Sequence, residues 1–101
     1  MIRQKTEIKI NIQGKKYIRL WGANGCVEMN EVYFIQKNIP SSLAIGDDEE
    51  GNAILYVKGK NGFGLYAVAF NDLDVNEMTF ISESLKDLLI LAKGVEKLID
   101  L

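Results

Sequence analysis

The hydrophobic pattern of this chain changes its period once, and that change restricts the fold more than any other feature. Residues 7–12 (Glu-Ile-Lys-Ile-Asn-Ile) alternate polar and apolar side chains, which is the two-residue period of a strand with one buried face. After Ser84 the apolar residues recur at helical spacing, at Leu85, Leu88, Leu89 and Ala92. The pattern predicts strands along most of the chain and a helix at its C-terminal end.

Further segments are rich in β-branched and aromatic residues and are bounded by turn residues, which is typical of short strands. These candidate strands are residues 16–21, 32–35, 43–46, 53–57, 64–70 and 78–81. Asn61-Gly62 is a strong hairpin signal and predicts that the strands on either side of it pair. Residues 26–32 are ambiguous by periodicity, and two helical turns capped by Asn24 are one interpretation.

Ser84 and Asp87 have the spacing of a capping box at the start of the C-terminal helix. Gly94 either ends this helix or is tolerated within it, in which case Val95, Leu98 and Ile99 continue the apolar face to the end. We therefore expect an α+β fold, with a bent, mostly antiparallel sheet of about six short strands and a C-terminal helix packed on one face. With 101 residues and no linker, residues 1–101 are expected to form one domain.

Two compositional facts restrict the chemistry. The chain has no histidine, which removes the usual general base and a common metal ligand. Its one cysteine, Cys26, can form neither an internal disulfide nor a multi-cysteine zinc site, and no histidine is present to hold its thiolate. We expect a small apolar role for Cys26, no catalytic residues, no metal and no cofactor.

The charges are unevenly distributed. The net charge is −2, yet residues 1–20 carry six bases and residues 28–50 carry six acids. Because the overall balance is acidic, we expect no nucleic-acid partner, and we interpret the early bases as the wet face of a strand. No apolar run approaches the roughly 20 residues that a membrane helix needs. The N-terminal residues do not resemble a signal peptide, and a lone cysteine suits the cytoplasm, so we expect a cytoplasmic protein.

The acidic run Asp47, Asp48, Glu49 and Glu50 is the most conspicuous polar cluster. Four consecutive acids do not match a calcium loop, which needs alternating acids and a distal glutamate. Two interpretations stay open: a solvated connection between strands, or a loop that recognises a cationic partner surface. The four residues are therefore the candidate partner-binding site, in which acids mainly accelerate encounter.

Six aromatic residues are candidates for a stacking platform. Most are expected in the core, because strand aromatics usually pack beneath a covering helix, and one or two exposed ones would be candidate interface anchors. The six are Trp21, Tyr33, Phe34, Tyr56, Tyr66 and Phe70.

The order of several short motifs resembles the SUKH superfamily, in particular its bacterial members related to fungal cell-wall-synthesis regulators. The resemblance covers roughly residues 17–91. The motifs that carry it are Tyr-Ile-Arg-Leu-Trp at 17–21, Asn-Glu-Val-Tyr at 30–33, Ile39-Pro40, Ile-Gly-Asp-Asp at 45–48, Gly-Asn-Ala at 51–53 and residues 81–89. Glu49 and Glu50 stand where family members often have paired glycines; a left-handed backbone costs a glutamate about 1 kcal/mol, so we expect the turn to differ.

The resemblance implies an α+β fold and a non-enzymatic role. Many bacterial members are immunity proteins, which bind and block a secreted polymorphic or contact-dependent toxin, often a nuclease. The expected partner is therefore a toxin domain. The alternative is a housekeeping interaction or scaffold domain, either a monomer or a homodimer joined through an edge strand.

Overall fold

A computed structural model describes residues 7–101, and an open six-stranded antiparallel sheet forms its centre. Each strand pairs with its neighbours in the chain, so the spatial order is β1-β2-β3-β4-β5-β6. The strands are β1 (Glu7–Ile12), β2 (Lys16–Trp21), β3 (Leu43–Asp47), β4 (Asn52–Gly59), β5 (Gly62–Ala69) and β6 (Thr79–Ser82). The α+β prediction is confirmed, and so is the hairpin at Asn61-Gly62, where Gly62 has a φ of 87°.

Helices cover both faces of this sheet. Between β2 and β3 the chain forms α1 (Ala23–Val32) and α2 (Ile35–Asn38), and after β6 it forms α3 (Leu85–Ile90) and α4 (Val95–Ile99). A single 3₁₀ turn, Val75–Glu77, lies between β5 and β6. The predicted helical packing at the C-terminal end is confirmed, and α1 and α2 add a layer on the opposite face.

The alternation along β4 separates two apolar cores. Ile54 and Tyr56 pack with the cluster that contains Leu88 and Leu98 of the C-terminal helices. The other cluster joins residues of β2 to β5 with the α1–α2 segment: Trp21, Ile35, Ile39, Ala44, Ala53, Leu55, Val57, Tyr66 and Val68. The sheet is therefore the middle layer of three, and β4 is buried on both faces.

The strand predicted at residues 32–35 is wrong. Its composition favours a strand, but Val32 ends α1, Phe34 adopts a left-handed conformation (φ 52°, ψ 45°) and Ile35 begins α2. The physical reason lies in a contact distant in sequence: the buried Asn30 amide donates to the Ala44 carbonyl (2.9 Å) and its oxygen accepts from the Ala44 N–H (3.0 Å). These bonds hold α1 against the sheet, so residues 32–35 form the junction between α1 and α2.

Asn30 bonds to β3 beyond the last residue of β2. In the β2–β3 pairing only Arg19–Asp47 and Leu20–Gly46 are opposed, so the N-terminal half of β3 lacks a neighbouring strand on that side. The Asn30 side chain supplies Ala44 with both hydrogen bonds that a strand would have supplied. The cap predicted at Asn24 is also wrong, because the N-cap of α1 is Gly22, which has no side chain to bond with.

The C-terminal apolar face is divided between two short helices, and Gly94 lies between them. Ser84 caps α3 as predicted, since its Oγ accepts from the Asp87 N–H (3.1 Å). The helix ends at Ile90, and Gly94 has a φ of 86°. The Gly94 α-carbon lies against the Ile81 carbonyl, where a Cβ would clash, so the chain turns here and α4 packs as a second short helix.

We expect Gly94→Ala to be more destabilising than a matched change at Gly14. Both glycines have positive φ values, but a Cβ at Gly14 meets open space. Gly14→Ala should lower the free energy of unfolding by about 1 kcal/mol, because alanine is strained in the left-handed conformation. Gly94→Ala adds a clash and should cost about 3 kcal/mol. Urea denaturation of both variants measures the difference, and equal losses would contradict the close approach to Ile81.

Candidate functional site

The acidic run forms the connection from β3 to β4, and its four side chains divide into two pairs. Asp47 and Asp48 are buried, at 5% and 1% exposure, whereas Glu49 and Glu50 are exposed. Glu49 adopts a left-handed conformation with φ at 60°. The structure therefore places two of the predicted contact residues inside the protein and two at its surface. A partner-binding role for the run stays a prediction, and only its second pair is accessible.

Asp48 is saturated with hydrogen bonds. Its Oδ1 accepts from the backbone N–H groups of Glu50 (2.8 Å) and Asn52 (2.9 Å). Its Oδ2 accepts from the Asn52 side-chain amide (2.7 Å) and lies 3.0 Å from Lys16 Nζ. One carboxylate thus fixes the backbone of the turn from position 48 to position 52.

The ammonium of Lys16 joins this turn to the C-terminal helix. The Lys16 side chain is almost fully buried, and its Nζ donates to the Leu98 carbonyl of α4 at 2.9 Å as well as pairing with Asp48. A carbonyl in the last turn of a helix has no partner within that helix, and a cation there also suits the helix dipole. Lys16 therefore connects β2, the acidic turn and α4 through one buried charge.

The environment of Asp48 favours its charged form. Burial acts to raise the pKa of Asp48, but hydrogen bonds from Asn52, Glu50 and Lys16 outweigh it and hold the pKa below its ordinary value. The ion pair with Lys16 thus stays formed at neutral pH.

Asp47 is bound on the opposite face of the sheet. Its Oδ2 accepts from the Trp21 indole N–H (2.8 Å) and from Arg19 Nε (3.1 Å), and its Oδ1 accepts from Arg19 Nη2 (3.3 Å) and from the Glu49 N–H (2.8 Å). The hydrogen bond to Asp47 raises the pKa of Arg19, against an opposing effect of burial. Asp47 thereby fixes the position of Trp21 as well as the start of the turn.

The exposed pair lies among cations of the first hairpin. Glu49 is 3.3 Å from Lys9 Nζ and 4.0 Å from Arg19 Nη1, and its side chain retains 27% exposure. The Glu50 side chain is 63% exposed and lies 3.9 Å from Lys16 Nζ. Sequence reasoning treated the basic and acidic segments separately, although the hairpin of β1 and β2 brings the bases beside the acids. Glu50 is the member of the run that projects furthest into solvent.

The described residues offer little for covalent chemistry or metal binding. Within residues 7–101, no group of three or more cysteine, aspartate or glutamate side chains could hold a metal ion. Burial raises the pKa of the Cys26 thiol, which donates to the Trp21 carbonyl at 3.5 Å, so the thiol is protonated at neutral pH. A surface pocket of about 450 Å³ lies beside β6 and the α3–α4 connection, and charges of both signs line it.

The aromatic residues also divide between core and surface. Trp21 and Tyr66 are buried, as expected for most of the six. Phe34 is 63% exposed at the end of α1, and Phe63, which sequence reasoning did not single out, is 65% exposed on β5. Phe63 stacks on Tyr56 with 5.7 Å between ring centroids. Tyr17 and Tyr33 are less exposed, at 46% and 37%, so the two phenylalanines are the most accessible aromatic residues in the described part of the chain, and they lie on different faces of the sheet.

No family model matches this chain, and a search of curated proteins finds no significant match. The resemblance to the SUKH superfamily therefore stays a prediction. Among residues 7–101, no helix is long and apolar enough to span a membrane.

We expect Asp48→Asn to be strongly destabilising, because it removes the nearest counter-charge of the buried Lys16 ammonium and leaves only the exposed carboxylate of Glu50, 3.9 Å away. The cost should be about 3–5 kcal/mol by urea denaturation. Glu50→Gln is the matched control, since it removes one exposed carboxylate of the same turn and should stay within about 0.5 kcal/mol of wild type. The double change Asp48→Asn with Lys16→Met should recover part of the loss. A double variant less stable than Asp48→Asn would contradict the ion-pair explanation.

The pKa of Asp48 also predicts acid sensitivity. Because the folded pKa is lowered, the stabilisation is complete above the ordinary carboxyl pKa of about 4 and is lost as pH falls through the lower folded value. Below about pH 4, wild type should therefore lose stability more steeply than the double variant, by up to about 1.4 kcal/mol per pH unit. Urea titrations between pH 2 and pH 6 measure both slopes, and parallel curves would contradict the prediction.

Proposed function

We propose that this protein is an immunity-type binding protein, which neutralises a bacterial toxin domain by covering part of its surface and catalyses no reaction. The observation that carries the proposal is the acidic turn, in which two buried carboxylates fix the backbone of two exposed glutamates. The SUKH-like order of motifs in residues 17–91 supports the same function. A toxin that acts on nucleic acid presents a cationic surface, which an acidic turn complements.

The turn is organised before any partner arrives. The side chains of Asp47 and Asp48 accept from the backbone N–H groups of Glu49 and Glu50, respectively, each at 2.8 Å. Little conformational freedom is therefore lost when the exposed carboxylates meet a partner, and less of the interaction energy is spent on ordering them. Exposed acids held in this way steer a cationic partner during encounter and oppose association with an acidic one.

Glu49 supports the proposal through its backbone. A glycine would adopt φ at 60° without strain, whereas a glutamate is strained there by about 1 kcal/mol. Strained residues of this kind cluster at functional sites. The carboxylate of Glu49 does form ion pairs with Lys9 and Arg19, but these are partly exposed contacts of small value.

One observation favours the second candidate, a homodimeric scaffold domain. In the described part of the chain β1 is an edge strand, and Ile8 on it is 58% exposed. An edge strand with an exposed apolar side chain can pair with a second copy. Light scattering that finds a concentration-independent dimer in which Ile8→Lys produces monomers would favour this candidate over the immunity function.

The immunity function predicts a specific partner, the C-terminal domain of a secreted protein, and it predicts that the gene of this partner lies next to the gene of this chain. We expect the two to co-purify with a one-to-one stoichiometry. Replacing both exposed acids, in Glu49→Gln with Glu50→Gln, should slow association roughly five-fold at low salt and flatten its salt dependence. Stopped-flow association at several salt concentrations measures both effects.

The matched control is Glu83→Gln with Glu96→Gln, which removes two exposed acids from the side of β6 and α4. This control should retain the wild-type association rate apart from the small effect of net charge. Equal slowing by the two double variants would refute a special role for the acidic turn. A wild-type protein that does not bind the neighbouring domain would refute the immunity function itself.

A further inference from the structure

The outward side of α1 exposes two valines among its polar residues. The helix packs on the sheet through Cys26, Met29 and Asn30. Its opposite side is exposed, and Val27 and Val32 are 62% and 59% accessible. A helix on the surface of a domain normally carries polar residues there. We call this side, with the residue that follows the helix, the α1 surface: Val27, Glu28, Glu31, Val32 and Phe34.

Phe34 is unfavourable for folding in two respects. Its backbone is left-handed, a conformation in which a bulky residue is an outlier and in which glycine or asparagine is tolerated. Its ring is also largely exposed, so it contributes little burial in return, and Lys37 Nζ lies 5.9 Å from the ring centroid. An exposed aromatic residue held in a strained conformation points to a role outside folding.

The backbone on either side of Phe34 is well anchored. The Tyr33 ring packs against Phe70 with 4.4 Å between centroids, and the Phe70 ring lies 6.4 Å from that of Trp21. On the other side, Ile35 is completely buried in the same core cluster. The position of Phe34 is therefore fixed before binding, as expected for an interface anchor.

The charge of the α1 surface selects among partners. The two charged residues of α1, Glu28 and Glu31, are both acidic, and Lys37 of α2 lies beside the Phe34 ring. The sum of these three charges is negative, so the surface disfavours a second copy docked through it and repels an anionic membrane. A basic protein surface with an apolar pocket is complementary to both features.

The acidic turn presents one of its carboxylates to the same side of the sheet. Glu49 contacts Arg19, and Arg19 is bound to Asp47 together with Trp21, which belongs to the core cluster beneath α1. A partner seated on α1 therefore approaches the face toward which Glu49 is directed.

We propose that the α1 surface, with Phe34 as its anchor, is the binding surface for a basic protein domain that has an apolar pocket for the phenylalanine ring. This inference rests on the proposed function, because it names the surface through which the toxin domain binds. It differs from the sequence-based prediction, which assigned binding to the acidic run.

The test compares Phe34→Asn with Phe63→Asn, the same change at the equally exposed aromatic residue on the other face. The probe is the C-terminal domain of the secreted protein that the proposed function predicts to be encoded next to this chain. Phe34→Asn should raise the dissociation constant at least tenfold, which is about 1.4 kcal/mol. It should not lower the melting temperature, because asparagine tolerates the left-handed backbone. Phe63→Asn should bind within twofold of wild type.

The charge of the surface is tested by Glu31→Lys, with Glu83→Lys as a control remote from α1. We expect Glu31→Lys to weaken binding at least fivefold and Glu83→Lys to stay within twofold of wild type. If wild type binds and Phe34→Asn binds equally well, the α1 surface is refuted while the immunity function stands. A lowered melting temperature for Phe34→Asn would make Phe34 a folding residue and refute the anchor. If wild type fails to bind, both proposals fall.

Discussion

The buried pair of Lys16 and Asp48 is the interaction on which the arrangement of this molecule depends. Three parts of the chain that are distant in sequence meet there: the first hairpin, the turn between β3 and β4, and the last helix. Two buried charges contribute little net stability, because desolvation offsets their attraction. Their importance lies in geometry, since two of the hydrogen bonds that Asp48 accepts come from the backbone N–H groups of Glu50 and Asn52 and fix the course of the turn, which leaves the adjacent glutamates exposed.

On the face of the sheet that α1 covers, a buried side chain also fixes a backbone segment. β2 is too short to pair with all of β3, and Asn30 bonds to Ala44 in its place. That contact requires α1 to lie directly on the sheet, with its outward side left exposed. The acidic turn and the α1 surface thus have a common origin: buried polar groups at the two ends of β3 determine which side chains of the neighbouring segments face solvent.

Local sequence patterns predicted what depends on local contacts. The alternation in residues 7–12, the Asn61-Gly62 hairpin and the Ser84 cap each involve residues within a few positions of one another, and each is confirmed. The predictions that were wrong concern segments whose structure depends on contacts distant in sequence. Residues 32–35 form the junction between α1 and α2 because Asn30 holds α1 on the sheet, and the break at Gly94 follows from Ile81. The acidic run is evident from composition. Its two inward carboxylates are those that pair with Lys16 and Arg19 of β2. These pairs depend on the strand register, which sequence alone does not specify.

The strand order has a consequence for how the chain acquires its structure. Because each strand pairs only with its neighbours in sequence, most strand pairings close short connections, and such local contacts favour rapid folding. The pairing of β2 with β3 closes the longer connection that holds α1 and α2, and the bond from Lys16 to Leu98 spans 82 positions. The bond from Lys16 to Leu98 therefore closes a much longer loop than any strand pairing does, and the entropic cost of closing it is correspondingly larger.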